Sequence, residues 1–206
     1  MTAEFDPAYA ARLLARQQAL TREASQVIER LQLRELLARA GEPFQIGSSR
    51  YGLMVWRDLD FSILCAGRSA EAIAPVIAAL VANPLVRRLD YLDETGPRSP
   101  SGLPGDQRHY VVLRAEPIAG QEWKIDLSFW IAEGQRGELE HPSHMAERLT
   151  EETRLSILHL KDRWHRLPGY PDIVSASDIY DAVLEHGVRT PDELARYCEE
   201  RGLPSE

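Results

Sequence analysis

The sequence predicts an α/β (α+β) fold: a mixed central β-sheet of about five strands flanked by helices, with a C-terminal helical cap. Three observations lead there. The chain opens on a long stretch with apolar residues at helical spacing, among them Leu13, Leu20, Ala24, Val27 and Leu31. Its middle holds segments that alternate apolar and polar residues with period two, the pattern of strands with one buried face. Beyond Thr150 only helix signals remain.

Totals bound what such a chain can be. With 206 residues it holds one ordinary domain, or a core with a small helical appendage. A 44% hydrophobic content supplies a core and 27% charged residues supply solubility, which excludes global disorder. The formal net charge of -8 argues against a broad nucleic-acid surface, which would carry a basic stripe. Cys65 and Cys198 form no CxxC pair, so two unpaired thiols are expected in place of a disulfide or zinc site. The start, MTAEFDPAYAARLL, lacks the basic segment and apolar run of a secretion signal. No stretch approaches the ~20 apolar residues that span a bilayer. The expectation is a cytoplasmic protein that does not engage membranes.

The elements follow in order. Asp6-Pro7 opens a helix, with a capping side chain and a proline in the first turn, where its missing N–H costs nothing. The helical pattern runs to about Arg39, with Thr21 as a candidate break, and ends at Gly41 and Pro43. Arginines from Arg12 to Arg39 interleave with Glu23, Glu29 and Glu35, which describes a solvated, salt-bridged face. Phe44 to Gly47 reads as the first strand, and SSRYGLMVWR as a turn that presents backbone N–H groups and hydroxyls. Asp58 to Cys65 is the second strand. Ser69 caps an alanine-rich helix containing Pro75, stopped at Asn83-Pro84. VRRLDYLDE and HYVVLRAEPI are the third and fourth strands. The Gly/Pro/Ser-rich connector from Thr95 to Arg108 either folds over a substrate or is a plain hairpin tip. Glu122 to Ile131 is the fifth strand, followed by the loop AEGQRGELEHPSHM. Thr150 with Glu151 and Glu152 starts a helix that Pro168-Gly169 ends; Ser175 with Asp178 and Thr190 with Glu193 form capping boxes for two more. Organisation therefore divides at residues 1–42, a helical segment; 43–135, an α/β core; and 136–206, a helical region.

Chemistry concentrates on two strands. Alternation puts Asp58, Asp60 and Ser62 on one face of the second, opposite Leu59, Phe61 and Ile63. Neighbouring ionised carboxylates repel unless a cation lies between them, and a hard, oxygen-seeking ion such as magnesium suits them. In the fifth strand Lys124, Asp126 and Ser128 oppose Trp123, Ile125, Leu127, Phe129 and Ile131. Were these strands neighbours, Asp58, Asp60 and Asp126 would converge on one polar face, a site for metal-assisted phosphoryl chemistry.

Gly47-Ser48, nine intervening residues, Asp58-x-Asp60 and the distant, strand-borne Asp126 together resemble the signature of the DNA polymerase beta-like nucleotidyltransferase superfamily, over roughly Phe44 to Ile131. The resemblance implies an α/β core that moves a nucleoside monophosphate from an NTP to an acceptor with divalent metal ions, Mg2+ or Mn2+. It implies that Asp58 and Asp60 ligate the ions, that Asp126 completes the acceptor-side ion and favours deprotonation of the incoming hydroxyl, and that Gly47 and Ser48 cradle the triphosphate. Arg50 either adds charge at the phosphates or is a surface arginine. Lys124 either touches phosphate or neutralises the acids, with Ser62 and Ser128 behind them.

Competing readings stand beside this. In one, Asp58 and Asp60 merely open an edge strand and Asp126 pairs with Arg87, Arg88 or Lys124. DLDFS also resembles the nucleophile motif of haloacid-dehalogenase-like phosphatases, but there the apolar run precedes the acids, whereas here it follows them. His141-Pro-Ser-His144 has tight spacing without the ligands that complete a zinc set. Lys161, Arg163, Trp164 and Arg166 either contact substrate or complement a helix C-terminus. Trp123 is assigned to the core, Trp56 and Trp130 to the border of the site. The expected function is NMP transfer to a hydroxyl-bearing small molecule or protein, with a tRNA acceptor disfavoured by acidity. The alternative is a nucleotide-binding regulatory or toxin-antitoxin component with little or no turnover.

Overall fold

Asp6 caps the first helix as its sequence indicates, its Oδ1 accepting from the Ala8 N–H at 3.0 Å. The computed structural model of the chain describes residues 6–65, 67, 70–103, 105–132, 145, 147–171 and 173–203. The proposed Ser69 cap, most of the loop after the fifth strand with His141 and His144, and Pro204 lie outside the described residues. Helix α1 (Pro7–Arg30) passes through Thr21 without interruption, and the break falls at Gln32, which adopts a left-handed φ of 49° before α2 (Leu33–Leu37). The poor helix propensity of one threonine costs only about 0.7 kcal/mol. That is outweighed by burial of Leu13, Leu20, Ala24 and Val27 along the same helix.

The chain forms two compact units. One comprises Thr21–Arg50 and Arg57–His141, the other Met1–Leu20, Tyr51–Trp56 and Pro142–Glu206. The first holds the sheet: β1 (Glu42–Ile46), β2 (Asp58–Leu64), β3 (Val86–Glu94), β4 (Arg108–Ile118) and β5 (Gln121–Trp130). Each lies within two residues of the segment its alternation marks. Strand order is β1-β2-β5-β4-β3; β2 and β5 are parallel and the other neighbours antiparallel. The mixed sheet flanked by helices is the predicted fold class. Its apolar face is built from Leu59, Phe61, Ile63, Val111, Leu113, Ala115, Trp123, Ile125, Leu127 and Phe129, all buried. Helix α4 (Ala70–Ala82) lies on that side, with Ile73 and Ile77 beside Tyr91 and His109. Pro75 sits inside α4 without ending it. Helix α3 (Gly47–Tyr51) follows β1 directly. The connector before β4 contains a single 3-10 turn, Gly96–Arg98, which Thr95 and Arg98 tie back to Asp93.

The second unit holds α5 (Glu151–Trp164), α6 (Ala176–Leu184) and α7 (Pro191–Glu200), each with a capping box, at Thr150/Thr153, Ser175/Asp178 and Thr190/Glu193. Leu53, Ile157, Leu160, Trp164, Ile179 and Leu194 belong to its core. Lys161 and Trp164 are buried there, which removes both from the basic, substrate-facing patch the sequence suggested. Lys161 Nζ donates to Leu53 O at 2.9 Å and to the Tyr180 hydroxyl at 3.1 Å. Arg154 reaches the carbonyls of Tyr51 and Gly52, so one helix face holds three successive carbonyls of the segment that leads into β2. Among the described residues no helix is long and apolar enough to cross a membrane, and both cysteines are buried and unpaired with each other.

Candidate functional site

Parallel pairing of β2 with β5 sets Asp60 opposite Asp126, Asp58 opposite Lys124 and Ser62 opposite Ser128. Because side chains alternate, all of these share the polar face of the sheet. Asp58, Asp60 and Asp126 each bring one carboxylate oxygen within 4.8 Å of the others. Asp58 is buried and its two companions are partly so.

Lys124 sits among them. Its Nζ lies 2.6 Å from Asp126 Oδ2 and 3.7 Å from Asp58 Oδ1. Burial pulls its pKa down, but Asp58, Asp126 and Asp60 together outweigh that and raise it, so the ammonium stays charged. Of the partners weighed for Asp126, Lys124 is thus the one engaged; Arg87 faces Glu116 at 3.6 Å and Arg88 faces Asp90 at 2.8 Å. Asp126 Oδ1 is buried and accepts no hydrogen bond. Three carboxylates and one ammonium leave the cluster at about -2, a charge and donor set that fit a divalent, oxygen-seeking cation.

Gly47 sits against this cluster. Its φ is +64°, and a Cβ there would stand 2.4 Å from Asp60 Oδ2. The position therefore needs glycine twice, for the left-handed backbone and for the close approach. Ser48 follows, buried. Arg50 is exposed; it donates to Gln45 O at 3.3 Å and lines a cleft that none of the three acids lines. Ser62 accepts from Trp130 Nε1 at 3.2 Å, and Ser128 from Arg108 Nη1 at 2.9 Å. Trp123 is core and Trp130 packs on the acid-bearing face, while Trp56 belongs to the helical unit, edge-on to Tyr170.

Sequence reasoning passed over Tyr110, valued only for its β preference. It stands opposite Ser128, two positions along β4 from Val112, the partner of Asp126. Burial, then the charge and hydrogen bonding of Asp126, raise its pKa far above the usual phenol range, so the hydroxyl stays protonated beside that acid. Arg108 stacks over its ring at 4.3 Å. The signal was parity: Tyr110 and Arg108 occupy alternate positions to the buried His109 and Val111.

No protein-family model matches the chain, and no curated protein matches it. Solved structures do share its fold. A cytoplasmic RNA terminal U-transferase superposes with a TM-score of 0.56 at 16% identity, over 82% of this chain and 49% of that one. The RNA terminal uridylyl transferase Cid1 superposes with a TM-score of 0.51 at 16% identity, over 89% of this chain and 48% of that one. The chain spans about half the length of either structure. At this identity the likeness establishes a shared fold and nothing finer.

Proposed function

We propose that this protein transfers a nucleoside monophosphate from an NTP to a hydroxyl-bearing acceptor, using Mg2+ or Mn2+. The observation that carries this reading is the register of β2 against β5, which gathers Asp58, Asp60 and Asp126 within 4.8 Å beside Gly47. Those three acids would hold the cation, which when bound stabilises charge on the phosphoryl oxygens. The bare α-carbon of Gly47 keeps the approach to Asp60 open, and Ser48 beside it offers its N–H and hydroxyl to the triphosphate. The acceptor hydroxyl oxygen bonds to the α-phosphorus as the bond from that phosphorus to the bridging oxygen breaks and pyrophosphate leaves. Asp126, with Oδ1 uncommitted to any hydrogen bond, takes the hydroxyl proton. Lys124 neutralises the acids in the resting site. The chemistry is assigned to residues 43–135, in a cytoplasmic setting that keeps Cys65 and Cys198 reduced.

The acceptor is assigned to a small molecule or a protein hydroxyl, in keeping with the net charge of -8. The structures of similar fold are RNA terminal uridylyl transferases, so RNA, a tRNA end included, belongs among the acceptors tested. Transfer of label from each α-labelled NTP, with Mg2+ or Mn2+, to separate pools of metabolites, proteins and RNA is the experiment. Label in one pool, lost in Asp58→Ala and Asp126→Ala, supports the reading. No metal-dependent transfer to any pool overturns it. One feature favours a second reading, nucleotide binding with little turnover: the Lys124 ammonium already occupies Asp126 Oδ2. Saturable NTP binding without transfer is its signature.

A further inference from the structure

None of the three acids lines a cleft of about 420 Å3 within the sheet-bearing unit, where α1, α2, β1 and α3 meet. Its polar lining is Thr21, Ser25, Arg34, Gln45, Ser49 and Arg50, with Phe44 and Pro43 as apolar neighbours. Among the described residues no carboxylate lines it. In a chain of net charge -8 this is a local reversal of sign.

The two guanidiniums are set by one residue. Arg34 Nη2 donates to Gln45 Oε1 at 3.0 Å, and Arg50 Nη1 donates to Gln45 O at 3.3 Å. Gln45 Nε2 in turn donates to Ser49 Oγ at 3.0 Å, and Ser49 Oγ donates to Ile46 O at 3.2 Å. This chain fixes Gln45 from both ends. A guanidinium carries five N–H donors in a planar fork, so the bond to Gln45 leaves Arg34 able to grip an oxyanion with a pair of them. The cleft is within the range of small-molecule sites, about 300–1,000 Å3.

We propose that this cleft binds a phosphate group, free or as the phosphomonoester of a small metabolite, between Arg34 and Arg50, separately from the carboxylate cluster. Ser25 Oγ, which donates to Thr21 O at 3.2 Å, lines the same cleft one helical turn along α1. The proposal stands whether or not the acids transfer nucleotides.

Thermal denaturation in EDTA, without nucleotide, tests it with inorganic phosphate and with ribose 5-phosphate as probes, at matched ionic strength. Both are expected to raise Tm saturably, and the ratio of their affinities tells the free from the esterified source. Arg34→Gln is expected to weaken binding at least ~10-fold, and Arg34→Lys less. Arg34 is exposed, so folding is not at stake; an unchanged Tm without probe verifies this. Asp126→Asn is expected to leave binding intact. A Tm that rises only as generic salt raises it, a response indifferent to Arg34→Gln, or one abolished by Asp126→Asn would each overturn the proposal.

Discussion

Asp60 and Asp126 lie opposite each other on parallel strands, though 66 positions apart in the chain. Parallel neighbours need a crossover, here supplied by α4, β3 and β4. The acids are therefore positioned by the centre of the sheet, where both flanking strands hold the backbone. If the cluster exists for a cation, it is a place where stability is sacrificed. Asp60→Asn removes one of three mutually repelling charges and is expected to raise Tm in EDTA while reducing transfer at least ~100-fold. Denaturation scans beside the labelled transfer assay check this; a variant both less stable and fully active contradicts it.

Gly47→Ala forces a side chain into a left-handed backbone and against Asp60 Oδ2. The backbone strain is worth about 1–2 kcal/mol. Asp60 can swing aside, so the fold survives, but then it leaves its place among the acids. Transfer is expected to fall by more than the stability loss explains, with metal affinity weakened. Retained metal affinity in a folded Gly47→Ala protein would separate Gly47 from the site.

Lys124→Met leaves Asp126 and Asp58 without their ammonium. Loss of a partly buried charge partner is expected to cost about 1–3 kcal/mol. The cation should now compensate, so Mg2+ should raise Tm more in the variant than in the wild type. Equal Mg2+ responses would mean that Lys124 and the metal do not share these oxygens.

Much of this was legible beforehand, for a physical reason. Period-two alternation is local, so the faces of β2 and β5 and the company of Asp58 with Asp60 could be read directly. Strand adjacency is not local: nothing in IDLSFW says which strand lies beside it, and only the shared motif brought Asp126 to the others. The same non-locality hid Tyr110, whose importance depends on pairing with Ser128, and the depth of Lys161, whose partner carbonyl is on Leu53. Thr21 looked like a break because propensity was weighed without the burial on either side of it. Gln32 gave no warning, since its left-handed backbone belongs to the junction between α1 and α2.

His159 makes the helical unit acid-sensitive. Burial, then the nearby Arg163 cation, hold its pKa below the ordinary 6.5, with Asp162 opposing. Tyr9 OH and His159 Nδ1 are 3.0 Å apart. The unfolded chain takes up a proton near pH 6.5 and the folded one resists it, so this contribution is present above that pH and is lost as pH falls below it. The denaturant midpoint is expected to drop between about pH 7.5 and pH 5.5, and less so in His159→Phe. An identical slope in both proteins would contradict this assignment.

The central claim is that Asp58, Asp60 and Asp126 hold a divalent cation against a triphosphate. Titration of Mn2+ followed by electron paramagnetic resonance, with a non-hydrolysable NTP analogue present, measures it directly. Saturable binding that Asp126→Asn weakens at least ~10-fold is the predicted result. Mn2+ that stays unbound, or binds equally well to Asp126→Asn, would contradict the account.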